Sequence, residues 1–179
     1  MSGAPEFARP FRLDSLGGEP RAVTIAADEA ERGALAARFG LLAIDRLEAE
    51  ALLRRDGAQV WAEGRVRGDA VQSCVVSGEP VPAHVDEPFS LRFDPLEDAA
   101  AHDEVELDEG DLDVIGYGGG AIDLGEAVAQ GFSLSLDPFP RAPGAEERLR
   151  AAGVLSEEEA ERARIESSPF AALKGLGKG

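Results

Sequence analysis

A chain of 179 residues that is 44% apolar can bury one proper core, although aromatics make up only 6% of it. Its formal charge of −17 repels phosphate, which argues against a large electrostatic footprint on DNA or RNA and fits a protein that meets a basic partner or uses charge to stay in solution. One cysteine, Cys74, excludes an internal disulfide and suits a reducing cytoplasm, while the start lacks a secretory pattern and the longest apolar runs fall short of the ~20 residues of a spanning helix.

Residues 1–8 read as a loose start, followed by short strand candidates at 10–16 and at Val23, Thr24 and Ile25, with a turn at Gly17 and Gly18 between them. Asp28 is placed to cap a helix over 29–39, thinly filled by Ala30, Ala34, Leu35 and Ala37 and ended by Gly40. Beyond it, 41–93 reads mainly as strands. Within 45–55 the spacing of Leu47, Leu52 and Leu53 permits strand or helix. Asp56-Gly57 is a hairpin signal, and Val60, Ala62, Gly64 and Val66 then alternate with polar residues. Gly68-Asp69 and 77–80 suggest two further turns, and the last strand ends with Phe89, Leu91 and Phe93 on one face. Hairpin spacing of this kind argues for an antiparallel sheet, curled or barrel-like.

Between 86 and 113 there are 12 acidic residues against Arg92 alone, which concentrates −11 of the −17 in one block. Such a block reads as a solvated loop, although Val105, Leu107, Leu112, Val114 and Ile115 allow edge strands within it. Glycine-rich 116–120 reads as a hinge. Next comes the main apolar element: Asp123 with Glu126 has capping-box spacing, and Leu124, Val128, Phe132 and Leu136 recur every fourth residue until Pro138 and Pro140 stop the run. A helix over about 123–136 follows, with 132–136 also compatible with a strand. The remainder, 144–179, reads as a charged extension with short helical pieces, and Phe170, Leu173 and Leu176 are helically spaced near its end.

No set of residues spells out a reaction. Cys74 and Ser77 hold the spacing of a C-x-x-C pair that lacks its second cysteine, and His84 and His102 complete no zinc pattern. The carboxylates from Asp103 to Asp113 do not follow calcium-loop spacing, and no phosphate-loop lysine or nucleophile-elbow serine is found. The expectation is therefore a protein with no cofactor, no metal site and no catalytic residue.

Three pieces in one order carry a resemblance: SCVVSGEPVPAHVDEPFSLRF from Ser73, the acidic block, and AIDLGEAVAQGFSLSLDPFPRAPGA from Ala121. The chain resembles the YceD-type family of bacterial large-subunit ribosomal RNA accumulation proteins. The matching positions are Cys74, Glu79, Pro80, Phe89, Phe93, the run Ile122-Asp123-Leu124-Gly125-Glu126, Leu134, Leu136 and Pro138. The resemblance covers roughly 40–145, and the ending SPFAALKGL is similar to the tail of proteobacterial members. It implies a role in synthesis, processing or stability of 23S ribosomal RNA, and so in large-subunit assembly, with no established catalytic residue. Many members have C-x-x-C where this chain has Cys74 and Ser77, so a metal role in those members does not carry over.

These readings give an α+β domain over 8–143 with an antiparallel, curled or barrel-like sheet, one main packed helix and a smaller N-terminal helix, followed by an extension over 144–179. The expected function is a cytoplasmic, non-catalytic ribosome-biogenesis factor that touches a basic ribosomal protein or assembly factor and reaches rRNA indirectly, without contact to membrane or DNA. Candidate binding residues are Asp103, Glu104, Glu106 and Asp108 in the acidic block, Asp123, Leu124 and Glu126 in the matched run, and Phe170 and Leu173 in the tail. That tail either docks on a partner or tucks back onto the chain's own sheet. The alternative is direct RNA binding through Arg54, Arg55, Trp61, Arg65 and Arg67, and a third reading is a ribonuclease that uses carboxylates and Mg²⁺.

Overall fold

The computed structural model describes residues 5–96 and 113–154, together with positions 160 and 164. Seven strands are found among them: β1 (Pro10–Arg12), β2 (Arg21–Ala26), β3 (Ala43–Asp56), β4 (Gln59–Ser73), β5 (Pro80–Pro95), β6 (Asp113–Tyr117) and β7 (Ala121–Asp123). The helices are α1 (Glu29–Phe39), α2 (Leu124–Leu134) and α3 (Ala145–Ala151).

Strands β2-β3-β4-β5-β6 form one sheet in that order, and β1 pairs with β7 in a small second sheet. The pairs β2·β3, β3·β4 and β4·β5 are antiparallel, but β5·β6 is parallel, so the sheet is mixed. The expected α+β architecture is present, and the sheet stays open: β2 and β6 are its edges rather than partners in a closed barrel. Open α+β sheets bury one face under helices and leave the other to solvent. Leu47, Ala49, Ala51 and Leu53 of β3, Val60, Ala62, Val66 and Ala70 of β4, and Leu91 and Phe93 of β5 supply the covered face, joined by Leu35 of α1 and by Leu124, Val128 and Phe132 of α2.

Local chemistry explains most boundaries. Asp28 accepts the Glu31 backbone N–H at 2.9 Å and the Glu31 side chain accepts that of Asp28 at 2.8 Å, a full capping box at the start of α1. Gly40 closes the helix at φ 67°, a left-handed conformation that glycine adopts without a Cβ penalty. The ambiguous stretch 45–55 is strand, because its small and apolar residues alternate in and out of the core. The Asp56-Gly57 signal marks a real hairpin, with Gly57 at φ 61°.

Two readings need correction. No turn occurs at Gly68-Asp69: β4 runs unbroken for 15 residues. Gly68 is there because the Phe132 ring of α2 lies against it, and a Cβ would come within 2.9 Å of Phe132 Cδ2. A glycine inside a strand can thus mark close packing as well as a turn. The glycines at 116–120 are not a loose hinge either. Gly116 belongs to β6, and Gly119 at φ 74° makes the turn into β7.

Helix α2 stops at Leu134 with Ser135 as its cap, two residues before Leu136. Only half of its capping box forms. Asp123 accepts the Glu126 N–H at 3.2 Å, but the Glu126 carboxylate turns to Arg38 instead of back to Asp123.

Candidate functional site

The run Ile122-Asp123-Leu124-Gly125-Glu126 is a structural joint. Ile122 and Leu124 are buried. Asp123 Oδ1 accepts the Arg9 backbone N–H at 2.9 Å as well as that of Glu126, which fastens the N-terminal segment to the start of α2. Gly125 lets the two backbones meet, since a Cβ there would overlap the Phe7 carbonyl oxygen and sit 3.0 Å from Arg9 N. Glu126 takes two hydrogen bonds from Arg38 of α1, at 2.9 and 2.7 Å. Arg38 foremost, helped by Gln130, holds the Glu126 carboxyl below its ordinary range against the opposing effect of burial. Of the three candidate binding residues here, Leu124 is enclosed and the other two hold the fold together.

The uncovered face of the sheet carries the candidate RNA-binding residues. Period-two alternation puts Arg54, Trp61, Arg65 and Arg67 on it, in register with β5. Arg55 is excluded by the same rule. It faces the other side, where its guanidinium donates to the carbonyls of Leu13 at 2.7 Å and Gly57 at 2.8 Å. Cross-strand registry lays arginines beside carboxylates. Arg65 bridges to Asp86 at 2.7 Å, Arg67 approaches Glu50 and Asp86 at 3.6 Å each, and Arg46 reaches Asp69 at 2.9 Å. Asp69 Oδ1 also contacts His84 Nδ1 at 2.6 Å. Arg65 holds the Asp86 carboxyl below its usual range, and the hydrogen bond from His84, followed by that from Arg46, does the same for Asp69.

One row differs. Arg54 pairs with Trp61, and Trp61 with Arg92, so two guanidinium groups flank the indole at 5.8 Å from its centroid. Arg92 also bridges to the buried Asp94 at 3.2 Å, whereas Arg54 meets no carboxylate among the described residues. The sequence reading missed Arg92. The Arg54–Trp61 pairing follows from counting back across the two-residue hairpin turn, but Arg92 depends on the β4–β5 register, which the loop over 74–79 sets.

That loop is clasped by the segment after α2. Val75 N–H donates to the Pro140 carbonyl at 2.9 Å, the Gln72 amide donates to the Asp137 carbonyl at 2.8 Å, and Ala142 N–H donates to Cys74 Sγ at 3.2 Å. The Ala142 amide foremost, then the Ser77 hydroxyl and the Val76 and Ser77 amides, hold the Cys74 thiol down to about 6, against burial. Cys74, Ala142 and Ala145 form a small second core, and Arg148 of α3 bridges to Glu79 at 3.0 Å. The first turn of the 144–179 extension therefore rests on the β4–β5 hairpin.

Between the end of α1, the end of β4 and the segment after α2 lies a groove of about 400 Å³, with Phe39, Leu41, Val75, Leu134, Pro138 and Pro140 in its walls. Asp103, Glu104, Glu106, Asp108, Phe170 and Leu173 lie outside the described residues. Among the described residues, no three His, Cys, Asp or Glu side chains converge as metal ligands, and no helix is long and apolar enough to cross a membrane.

These features define an acidic α+β scaffold whose distinctive sequence runs form joints between its elements: a capped, glycine-fitted helix start and a hairpin loop clasped at a cysteine. The chain belongs to the family described as Large ribosomal RNA subunit accumulation protein YceD, whose sequence profile matches residues 62–177. The match begins within β4 and takes in the hairpin clasp, α2 and most of the tail. Comparisons with curated proteins and with solved structures find no significant match.

Proposed function

We propose that this protein is a non-catalytic assembly factor of the cytoplasm. It would support accumulation of large-subunit ribosomal RNA by holding a basic ribosomal protein or another basic factor, and reach the RNA through that partner. Family membership supports the process. The observation that carries the mechanism is the self-neutralised outer face of the sheet: Arg46, Arg65, Arg67 and Arg92 each sit within 3.6 Å of a carboxylate and so are poorly placed to grip phosphate. Phosphate binding needs unpaired cations on one surface, since each neutralised phosphate contributes through released counterions. With −17 on the whole chain, long-range attraction favours a cationic protein. The acidic block over 86–113 supplies most of that attraction, with Asp103, Glu104, Glu106 and Asp108 as the candidate contacts.

The test is capture from nuclease-treated extract on the immobilised full chain, eluted with rising salt. Basic ribosomal proteins retained after nuclease treatment and released between about 0.1 and 0.5 M salt, where screening shortens to a few ångströms, agree with the proposal. Retention that nuclease abolishes overturns it. Precursor 23S RNA left intact by the purified chain with Mg²⁺ present is the expected result for a non-catalytic factor.

A second reading, direct RNA contact, rests on the Arg54–Trp61–Arg92 row, where an indole and a guanidinium with no carboxylate beside it among the described residues share one surface. Stacking of a single-stranded base on such an aromatic contributes roughly 1–3 kcal/mol. A gel shift that depends on Trp61 and Arg54 would favour this reading over protein contact.

A further inference from the structure

The groove behind the β4–β5 hairpin is open and has an apolar stretch of Leu134, Pro138, Pro140 and Val75 beside the polar Gln72 and Asp137. Leu134, at the end of α2, is 86% exposed, and Val75 in the opposite wall is 54% exposed. Isolated apolar residues on a surface need no explanation, but a contiguous set around a concavity does. These residues are held in place. Pro138 and Pro140 restrict the backbone on both sides of Phe139, Asp137 Oδ1 accepts the Phe139 N–H at 2.9 Å, and the Pro140 carbonyl is fixed by Val75 N–H at 2.9 Å. A preformed apolar surface of this kind takes an amphipathic segment with little ordering cost on its own side.

We infer that the groove is the seat of the chain's own C-terminal segment, with Phe170 and Leu173 as the anchoring side chains. Three observations select this occupant. The first is reach. Helix α3 starts five residues after Pro140 and is fastened to the hairpin by Ala145 and Arg148, so the chain leaves the described body close to the groove. Residues 155–169 then lie between Val154 and Phe170, and 15 residues span up to ~50 Å when extended. The second is chemical complementarity. The ending SPFAALKGLGKG has Phe170, Leu173 and Leu176 at one helical spacing and carries Lys174 and Lys178 with no acidic residue, on a chain of net charge −17. Among the described residues lining the groove, Asp137 is the one charged side chain. The third is the extent of the family match, which runs to residue 177 and so takes the β4 and α2 walls of the groove and the tail together as one unit.

Tethering makes this contact intramolecular, at an effective concentration in the millimolar range, so a few buried side chains suffice to populate it. It fixes the groove's use: while the tail is seated, Leu134, Val75 and the two prolines are closed to any other partner. The inference stands apart from the proposed protein contact, because it rests on the groove residues and the tail and uses none of the acidic residues over 103–108.

The test uses the full chain with paired cysteine substitutions. Leu134→Cys with Leu173→Cys, under mild glutathione oxidation, is expected to give an intramolecular disulfide, mapped by mass spectrometry, at least about tenfold faster than Leu52→Cys with Leu173→Cys. Leu52 is 51% exposed on the uncovered face of the sheet, so that pair is the control for random tail collisions. As a second readout, Phe170→Ala with Leu173→Ala should shift the methyl resonances of Val75 and Leu134 and leave those of Leu52 unmoved. Equal oxidation rates for the two pairs, disulfides only between molecules, or groove methyl signals that ignore the tail substitutions would each overturn the inference; disulfides only between molecules would point to a second copy as occupant.

Discussion

At the scale of single residues, the positions that make the family run recognisable act by geometry. Asp123 caps α2 and also holds the Arg9 amide, so Asp123→Ala removes a helix cap and leaves a second backbone donor without its partner. A loss of about 1–2 kcal/mol is expected in urea unfolding. Gly125→Ala forces the start of α2 away from the Phe7 carbonyl, and because backbone cannot swing aside as a side chain can, a loss of about 2–3 kcal/mol is expected. Cys74 gives a pH signature. Its thiol is held at about 6 when folded against an ordinary 9.0, so its contribution is full above pH 9 and is lost as pH falls towards 6. Under reducing conditions, wild-type stability should therefore rise from pH 6 to 9 relative to Cys74→Ser, and parallel profiles would contradict the hydrogen-bonded thiolate. The capping role of Asp123 was legible in the sequence, because Asp followed three residues later by Glu is a local signal. The Arg9 and Phe7 contacts were not, since they join residues more than 110 positions apart. Cys74 read only as half of an incomplete C-x-x-C pair, because its donors come mainly from Ala142 and the turn, which spacing alone cannot bring together.

At the scale of elements, period and caps carried most of the fold. Helix α1 occupies its expected span, since a capping aspartate and a terminal glycine bracket it. Strand β4 shows where local signals fail. Gly68-Asp69 has turn chemistry, but α2 lies across the strand at that point and requires a residue without a side chain. Gly68→Ala should therefore cost about 1–3 kcal/mol by overpacking, and Phe132→Leu in the same chain should recover part of it, giving a non-additive cycle. Additive losses would mean that the two residues do not meet. Val114 and Ile115 allowed an edge strand at the end of the acidic block, and β6 is one, but its parallel register with β5 was beyond sequence reading because it is a long-range contact. Among the candidate site residues, Arg54 and Arg55 separate onto opposite faces, a consequence of strand alternation once 45–55 is known to be strand rather than helix.

At the scale of the whole molecule, charge decides between partners. A sheet face tiled with arginine–carboxylate pairs contributes little net attraction to phosphate, and exposed pairs of this kind also add little to stability. By sequence, −11 of the −17 falls in the block over 86–113, of which Asp86 is already paired on that face, and such a concentration draws cations from a distance of about one Debye length, ~8–10 Å at physiological salt. That block was visible in the sequence as an electrostatic feature, whereas the neutralised sheet face needed the strand register. The paired sheet face and the charge concentrated in the sequence together support the central proposal, that this protein serves large-subunit assembly by holding a basic protein. The most direct measurement is a sucrose-gradient profile of cells lacking the chain, complemented with two variants. Neutralising Asp103, Glu104, Glu106 and Asp108 to their amides should leave the large-subunit peak depleted, while Trp61→Ala with Arg54→Ala should restore it fully. Restoration by the amide variant together with failure of the Trp61 and Arg54 variant would contradict the account and hand the role to direct RNA contact.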